Sequence, residues 1–333
     1  RQALDDAGYG QVPIITTDRD TKNLHPGFKL SPLFELRMLW GLIMNDILED
    51  LRRKIRPYEI NPGETDAVFE HAVHAICQGF DKSLKGAREA FEQAIEQFRG
   101  IAYDRSVRKP RVFMIGEFLL NFHPSSNNRI EEYLEKNGIE VMMPNLFYNM
   151  HREYLLEIDQ KETYHVSHPA LKIFLTKTTN RYIHRVIRIL ESVGARHPLW
   201  ENKPPLEEIA ERSHHIIDKT FTSGEGWMIA GEILHHADHG IKSFLILQPF
   251  GCIPNHVTGR GLVKRIKKEK PDIQILSLDY DPDTSFANVE NRLQMLIINT
   301  KERHKLVESD SQTVGTGRKI GFKKNVTIFP EKN

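Results

Sequence analysis

Residues 111–143 read Arg111-Val-Phe-Met-Ile115, then Gly116-Glu-Phe-Leu-Leu-Asn-Phe-His-Pro-Ser-Ser-Asn127, then Asn128-Arg-Ile-Glu-Glu-Tyr-Leu-Glu-Lys-Asn137, Gly138, and Ile139-Glu-Val-Met-Met143. An apolar run of strand length, a polar loop, a helical stretch, a glycine stop and a second apolar run are the marks of a parallel βαβ unit. The pattern returns downstream. A helix over about Trp227–Ala237 leads through Gly240 to the strand Ser243–Gln248. The loop Pro249–Asn255 and a basic helix over about His256–Lys270 follow, Pro271 breaks that helix, and Ile273–Leu278 reads as the next strand. Two such units predict an α/β fold with a Rossmann-like parallel sheet over residues 109–300.

Outward from that frame the signal changes. Between residues 31 and 108, Leu33, Leu36, Leu39, Trp40, Ile43, Ile47, Leu48 and Leu51 recur at three- and four-residue spacing. Val68, Ala72, Ala75, Ile76 and Phe80, and then Ala87, Phe91, Ala94, Ile95 and Phe98, do the same. This is an inserted segment of at least three helices. Residues 170–193 and 206–219 read as further helices, and about Ser285–Ile298 as the last. Residues 1–30 open as a helix end stopped by Gly8 and Gly10 and followed by a short β-branched strand. They read as the remnant of an upstream α/β unit, the expectation being a C-terminal fragment of something longer. Residues 301–333 are expected to be a charged tail.

Composition narrows the function classes. Of the 333 residues, Lys and Arg (46) nearly balance Asp and Glu (45), which leaves no overall basic field for a nucleic-acid backbone or an anionic membrane. Apolar stretches such as Phe244–Leu247 are too short to span a bilayer. Two cysteines exclude a disulfide framework. No Gly-x-x-x-x-Gly-Lys-Ser/Thr loop, Gly-x-Gly-x-x-Gly turn or Gly-x-Ser-x-Gly elbow is present, so ATP or NAD binding by this chain alone is not expected.

Candidate chemistry gathers in the βα loops. Cys252, in Gln248-Pro-Phe-Gly-Cys-Ile-Pro-Asn-His256, falls just past the carboxyl end of a predicted parallel strand, where open α/β sheets bind ligands. Gly251 is read as letting the backbone approach closely there, and the start of the following helix favours a thiolate. Glu117 occupies the equivalent loop of the first unit, and Glu225, in Gly224-Glu-Gly-Trp227, opens the helix before the second. Each is a candidate site carboxylate or a loop cap. Cys77 is read as a structural residue on an apolar helix stripe. His235 and His239, four apart, have metal-ligand spacing but suit a solvated helix C-terminus; His214 and His215 are weaker candidates. The basic helix (Arg260, Lys264, Arg265, Lys267, Lys268, Lys270) is read as a phosphate-binding surface or the outer face of a crossover helix.

Four motifs, in order, resemble the 2-hydroxyacyl-CoA dehydratase and double-cubane cluster reductase superfamily, and more closely the C-terminal region of CoA-substrate-specific enzyme activases. They are Gly116-Glu117…Asn121…Pro124-Ser-Ser-Asn127, Gly224-Glu-Gly-Trp227, the loop around Cys252, and Asp279-Tyr-Asp-Pro-Asp-Thr-Ser285 with Asn291-Arg292. The resemblance runs from Arg1 to about Asn299. It implies a cysteine-ligated Fe–S cluster, of the 4Fe–4S or double-cubane kind, with Cys252 as one ligand. It also implies low-potential electron transfer driven by an ATP-hydrolysing activator domain on the same chain or a separate one. A CoA-type or small-molecule substrate, an anaerobic cytoplasmic setting and a homodimer fit the same picture. The family's other cysteines lie upstream in a Gly-Pro-Cys-Arg-like motif that this sequence lacks. One cysteine cannot hold a cubane, so the chain by itself is expected to be cluster-free and inactive. The alternative is a non-redox α/β module that binds a CoA-like ligand or an activator domain.

Overall fold

Why β1 and β3 pair is visible in their residues: each is apolar along most of its length, as a strand covered on both faces must be. In the computed structural model, which describes residues 2–14, 31–152, 155, 165, 167, 169–221, 223–281 and 286–314, these are β1 (Arg111–Gly116) and β3 (Ser243–Pro249). β2 (Glu140–Met142) and β4 (Gln274–Tyr280) flank them in a four-stranded sheet of order β2-β1-β3-β4. All three pairings are parallel, with Phe113 opposite Phe244. The expected α/β fold with a parallel sheet is therefore present.

The chain divides into two compact units. The first comprises Arg1–Val107, Met143–His214 and Asp218–Thr222; the second comprises Arg108–Met142, His215–Ile217 and Ser223–Asn333.

Unit 1 is helical. After α1 (Gln2–Asp6) come α2 (Pro32–Ile55), α3 (Glu64–Lys82) and α4 (Leu84–Gly100). Ser31 accepts from the Phe34 N–H and starts α2 with Pro32 in its first turn, the arrangement that satisfies otherwise orphaned amides. Glu59 receives the Gly63 and Thr65 N–H groups and so caps α3 from outside it. The core joins Met44, Leu48, Leu51 and Ile55 of α2 to Phe91, Ile95 and Phe98 of α4. Gly79 is required where α3 crosses α4, because a Cβ there would sit 2.7 Å from the Ala87 Cα. Besides a helical stretch over residues 146–152, two helices later in the chain belong to this unit. They are α7 (Ala170–Gly194), which adds Ile183, Val186 and Leu190 to the core, and α8 (Leu206–Ser213), which follows Pro205. The strand expected near the start does not form over residues 12–14; residues 15–30 lie outside the described residues.

In unit 2, the loop expected over Gly116–Asn127 contains a short helix, α5 (Phe118–Phe122), and α6 is confined to Ile130–Lys136. α9 (Met228–Asp238) buries Ile229, Ile233 and Leu234 against Phe113, Phe244 and Ile246. The single basic helix expected after β3 is split into α10 (Ile253–Thr258) and α11 (Val263–Glu269) by Gly259 and a 3-10 turn (Arg260–Leu262). The last helix, α12, spans Phe286–Val314. It passes well into the expected tail because no glycine or proline interrupts the sequence before Gly315. Thr300 donates to the Ser243 hydroxyl at 2.8 Å, and His304 meets the Arg108 carbonyl at 2.9 Å, so the added turns are anchored. Residues 315–333 of the expected tail lie outside the described residues.

Candidate functional site

The strand order places the reversal between β1 and β3: the chain moves from β1 to β2 on one side, then to β3 on the other. Such a switch point opens a crevice at the carboxyl ends of the two strands. Glu117 follows the end of β1, and Gly251 and Cys252 follow the end of β3, so three of the predicted residues come to this one rim.

Glu225 ties the rim together. Its carboxylate is buried and accepts from the Phe118 N–H at 2.9 Å through Oε1 and from the Asn255 side-chain amide at 2.6 Å through Oε2. The same Asn255 Nδ2 lies 3.3 Å from Cys252 Sγ. The loop after β1, the segment before α9 and the loop after β3 are thus joined through one carboxylate. Close packing requires the glycines: a Cβ on Gly116 would come within 1.9 Å of the Leu247 carbonyl oxygen, and one on Gly224 within 2.6 Å of Pro254 Cβ. The start of the fourth motif joins too, while its residues 282–285 lie outside the described residues. Asp279 accepts from Gln248 and from Arg260, the latter at 2.9 Å, and the Tyr280 hydroxyl donates to the Asn127 carbonyl at 3.1 Å. Burial raises the pKa of that phenol. Cys252 itself is half-buried, at the N-cap of α10.

Several sequence readings change. Glu117 is a cap: its carboxylate accepts from the Leu120 N–H at 3.0 Å, at the start of α5. Gly251 does not permit a close approach, since a Cβ there would meet nothing within 4 Å; its φ of 78° is what demands glycine. Cys77 is exposed, because the buried stripe of α3 runs through Ala72, Ile76 and Gly79 and residue 77 is turned off it. His235 is buried, its ring 4.3 Å from that of His239, so this end of α9 is less solvated than its composition suggests. His214 faces Asp218 at 3.5 Å, and His215 bonds Glu269 at 2.6 Å. In α11, Lys264, Arg265, Lys267 and Lys268 are exposed, opposite buried Ile266, as on the outer face of a crossover helix. Arg260 is held by Asp279, and Lys270 by Asp238.

Unit 1 holds a second candidate site that sequence reading missed. A cavity of about 280 Å³ is lined by Asp46 of α2, His151, His184 of α7 and Pro205, among others. Asp46 is buried and accepts from the Leu146 and Phe147 N–H groups, both at 2.9 Å. Burial outweighs these bonds and pushes its pKa up to about 7. Burial likewise lowers the pKa of His151 and raises that of Glu191. A hydrogen bond to Glu207 raises that of His184. Burial would raise Glu207, but the His184 bond and the residue's own backbone N–H hold it at about 2. Titratable groups displaced in both directions around one cavity mark a site where charge is managed. A signal for Asp46 existed, since an aspartate sits among Ile43, Met44, Ile47 and Leu48 on a buried stripe. None existed for His151, His184 and Glu207, which no local spacing connects.

Among the described residues, no helix is long and apolar enough to cross a membrane. Compared with known proteins, the chain matches no family, no curated protein and no solved structure.

Proposed function

We propose that this chain is the cluster-ligand-bearing part of an ATP-coupled Fe–S activase or reductase of the 2-hydroxyacyl-CoA dehydratase type, with Cys252 as one thiolate donor. The observation that carries the reading is convergence. Described residues of four motifs far apart in sequence meet at the carboxyl-end rim of one parallel sheet, and the half-buried sulfur of Cys252 stands among them. The donor set supports a shared site only. Unit 2 contains no cysteine besides Cys252, and Fe–S clusters take several thiolates, so the remaining donors come from outside this unit. When bound, the cluster would supply low-potential electron transfer. Glu225 and Asn255 act as positioning residues that set the Cys252 loop. An ATPase activator domain is the implied partner, and an acyl-CoA or small unsaturated molecule the implied substrate class.

The non-redox alternative has its own support. Phe250 and Ile253, on either side of Cys252, are 70% and 75% exposed, and large apolar side chains displayed at a loop suit a docking face. Anaerobic reconstitution of the natural full-length polypeptide with ferrous iron and sulfide separates the two. A brown protein whose visible absorbance and iron content fall in Cys252→Ser, but not in Cys77→Ser, supports the redox reading. A colourless protein, or unchanged iron in Cys252→Ser, overturns it.

A further inference from the structure

We propose that His151, His184 and Glu207 bind a single divalent transition-metal ion of the zinc class, in a three-ligand site that borders the unit 1 cavity. A ring nitrogen of each histidine and a carboxylate oxygen of Glu207 all lie within 4.8 Å of one another. Tetrahedral zinc, with bonds of about 2.0–2.1 Å, sets its donors roughly 3.3 Å apart. His184 Nε2 and Glu207 Oε1 already stand at 2.9 Å. Glu207 lies in the first turn of α8 with an accessible side chain, so small rotations complete the triangle.

A His184–Glu207 ion pair accounts for two of the three groups and leaves the third unexplained. His151 is only 1% exposed and stacks on Phe147. Its Nε2 is 2.6 Å from Asn180 Oδ1, an acceptor, so Nε2 carries the proton and Nδ1 the lone pair. That Nδ1 is buried and has no hydrogen-bond partner among the described residues, a costly state for a polar atom unless something binds it. An imidazole fixed through one nitrogen by an amide oxygen is also how metal-bound histidines are oriented. Asn180 and His184 are one helical turn apart on α7, so the same helix supplies a ligand and the orienting group for another.

The donor set selects the ion. Two imidazoles and one carboxylate suit zinc and its neighbours better than magnesium or calcium, which favour all-oxygen shells. Three protein ligands leave a coordination position, and both histidines line the cavity. Arg188 and Lys203 line it too and oppose a cation; Lys203 is paired with Asp50, and the Glu207 carboxylate supplies the countering charge. This site is independent of the Cys252 reading.

The test uses the chain freed of metal with a chelator. Zinc titration by calorimetry should give one ion per chain, and cobalt should give the visible absorption of four- or five-coordinate cobalt rather than that of the aqueous ion. The double variant His184→Ala/Glu207→Ala should lose at least about a hundredfold in zinc affinity. Both side chains are partly exposed, and circular dichroism checks that the variant folds. Asn180→Ala should weaken binding about tenfold by releasing the His151 ring. His235→Ala/His239→Ala should leave the stoichiometry at one. No uptake at micromolar zinc, unchanged affinity in the first double variant, or loss of binding in the second would each overturn the proposal.

Discussion

The side-chain amide of Asn255 stands 3.3 Å from the sulfur of Cys252 and 2.6 Å from Oε2 of Glu225. A buried carboxylate therefore sets the orientation of the group next to the thiol, and the rim is connected through a charged residue rather than through apolar packing alone.

Glu225→Ala should destabilise unit 2 by roughly 2–4 kcal/mol, because it strands the Phe118 N–H and the Asn255 amide, and bonds to charged groups are the stronger kind. Urea unfolding followed by circular dichroism reads this directly. A loss below about 0.5 kcal/mol, the range of an ordinary surface change, would show that the rim loops stand without the carboxylate.

Gly116→Ala should be worse. Its methyl group would stand 1.9 Å from the Leu247 carbonyl oxygen, a backbone atom that cannot rotate away. The β1–β3 pairing through Gly116 and Leu247 must open, at a cost of roughly 3 kcal/mol or more. Soluble yield and melting temperature report the outcome, and a melting temperature equal to that of the parent would contradict the close approach.

The two thiols should differ in accessibility. Exposed Cys77 should be alkylated by iodoacetamide before half-buried Cys252, as peptide mass spectrometry resolves. Asn255→Ala should then speed labelling of Cys252 by removing its hydrogen-bonded neighbour. Equal labelling of the two sulfurs in the parent would contradict the burial of Cys252.

The pH dependence of unit 1 has a definite sign at Asp46. Burial raises its folded pKa from 3.8 to about 7, so between those values the folded state holds a proton that the unfolded state has released. Its contribution is complete below pH 3.8 and is lost as pH rises toward 7. At about 1.36 kcal/mol per pKa unit, the loss amounts to a few kcal/mol. Asp50 runs the other way: burial would raise it, but Lys203 and Lys54 hold it at about 2, so its contribution is lost as pH falls below 3.8. Denaturant midpoints at about pH 5 and about pH 8, on either side of the Asp46 transition, should therefore differ less in Asp46→Asn than in the parent. An unchanged difference would remove Asp46 as the source.

Continuous apolar runs in β1 and β3, glycine stops and three-residue spacing made the parallel sheet and the helices of residues 31–108 legible, because backbone period and burial act within a few neighbours. Asp46 also left a trace, as an acid on an apolar stripe. The break between α10 and α11 at Gly259 was harder to read, since a Cβ there would meet the Asn255 carbonyl at 2.7 Å, a crowding that composition does not reveal.

What the amino-acid order alone determined is the α/β architecture and the rim on which Cys252 stands, since both follow from local pattern and chain direction. Only tertiary structure decided that Glu117 caps a helix, that Glu225 joins three loops, that Cys77 faces out, and that His151, His184 and Glu207 meet. The reason is physical: hydrogen-bond partners and burial depend on residues brought together across dozens of positions, and no spacing along the chain encodes a 2.9 Å contact between His184 and Glu207.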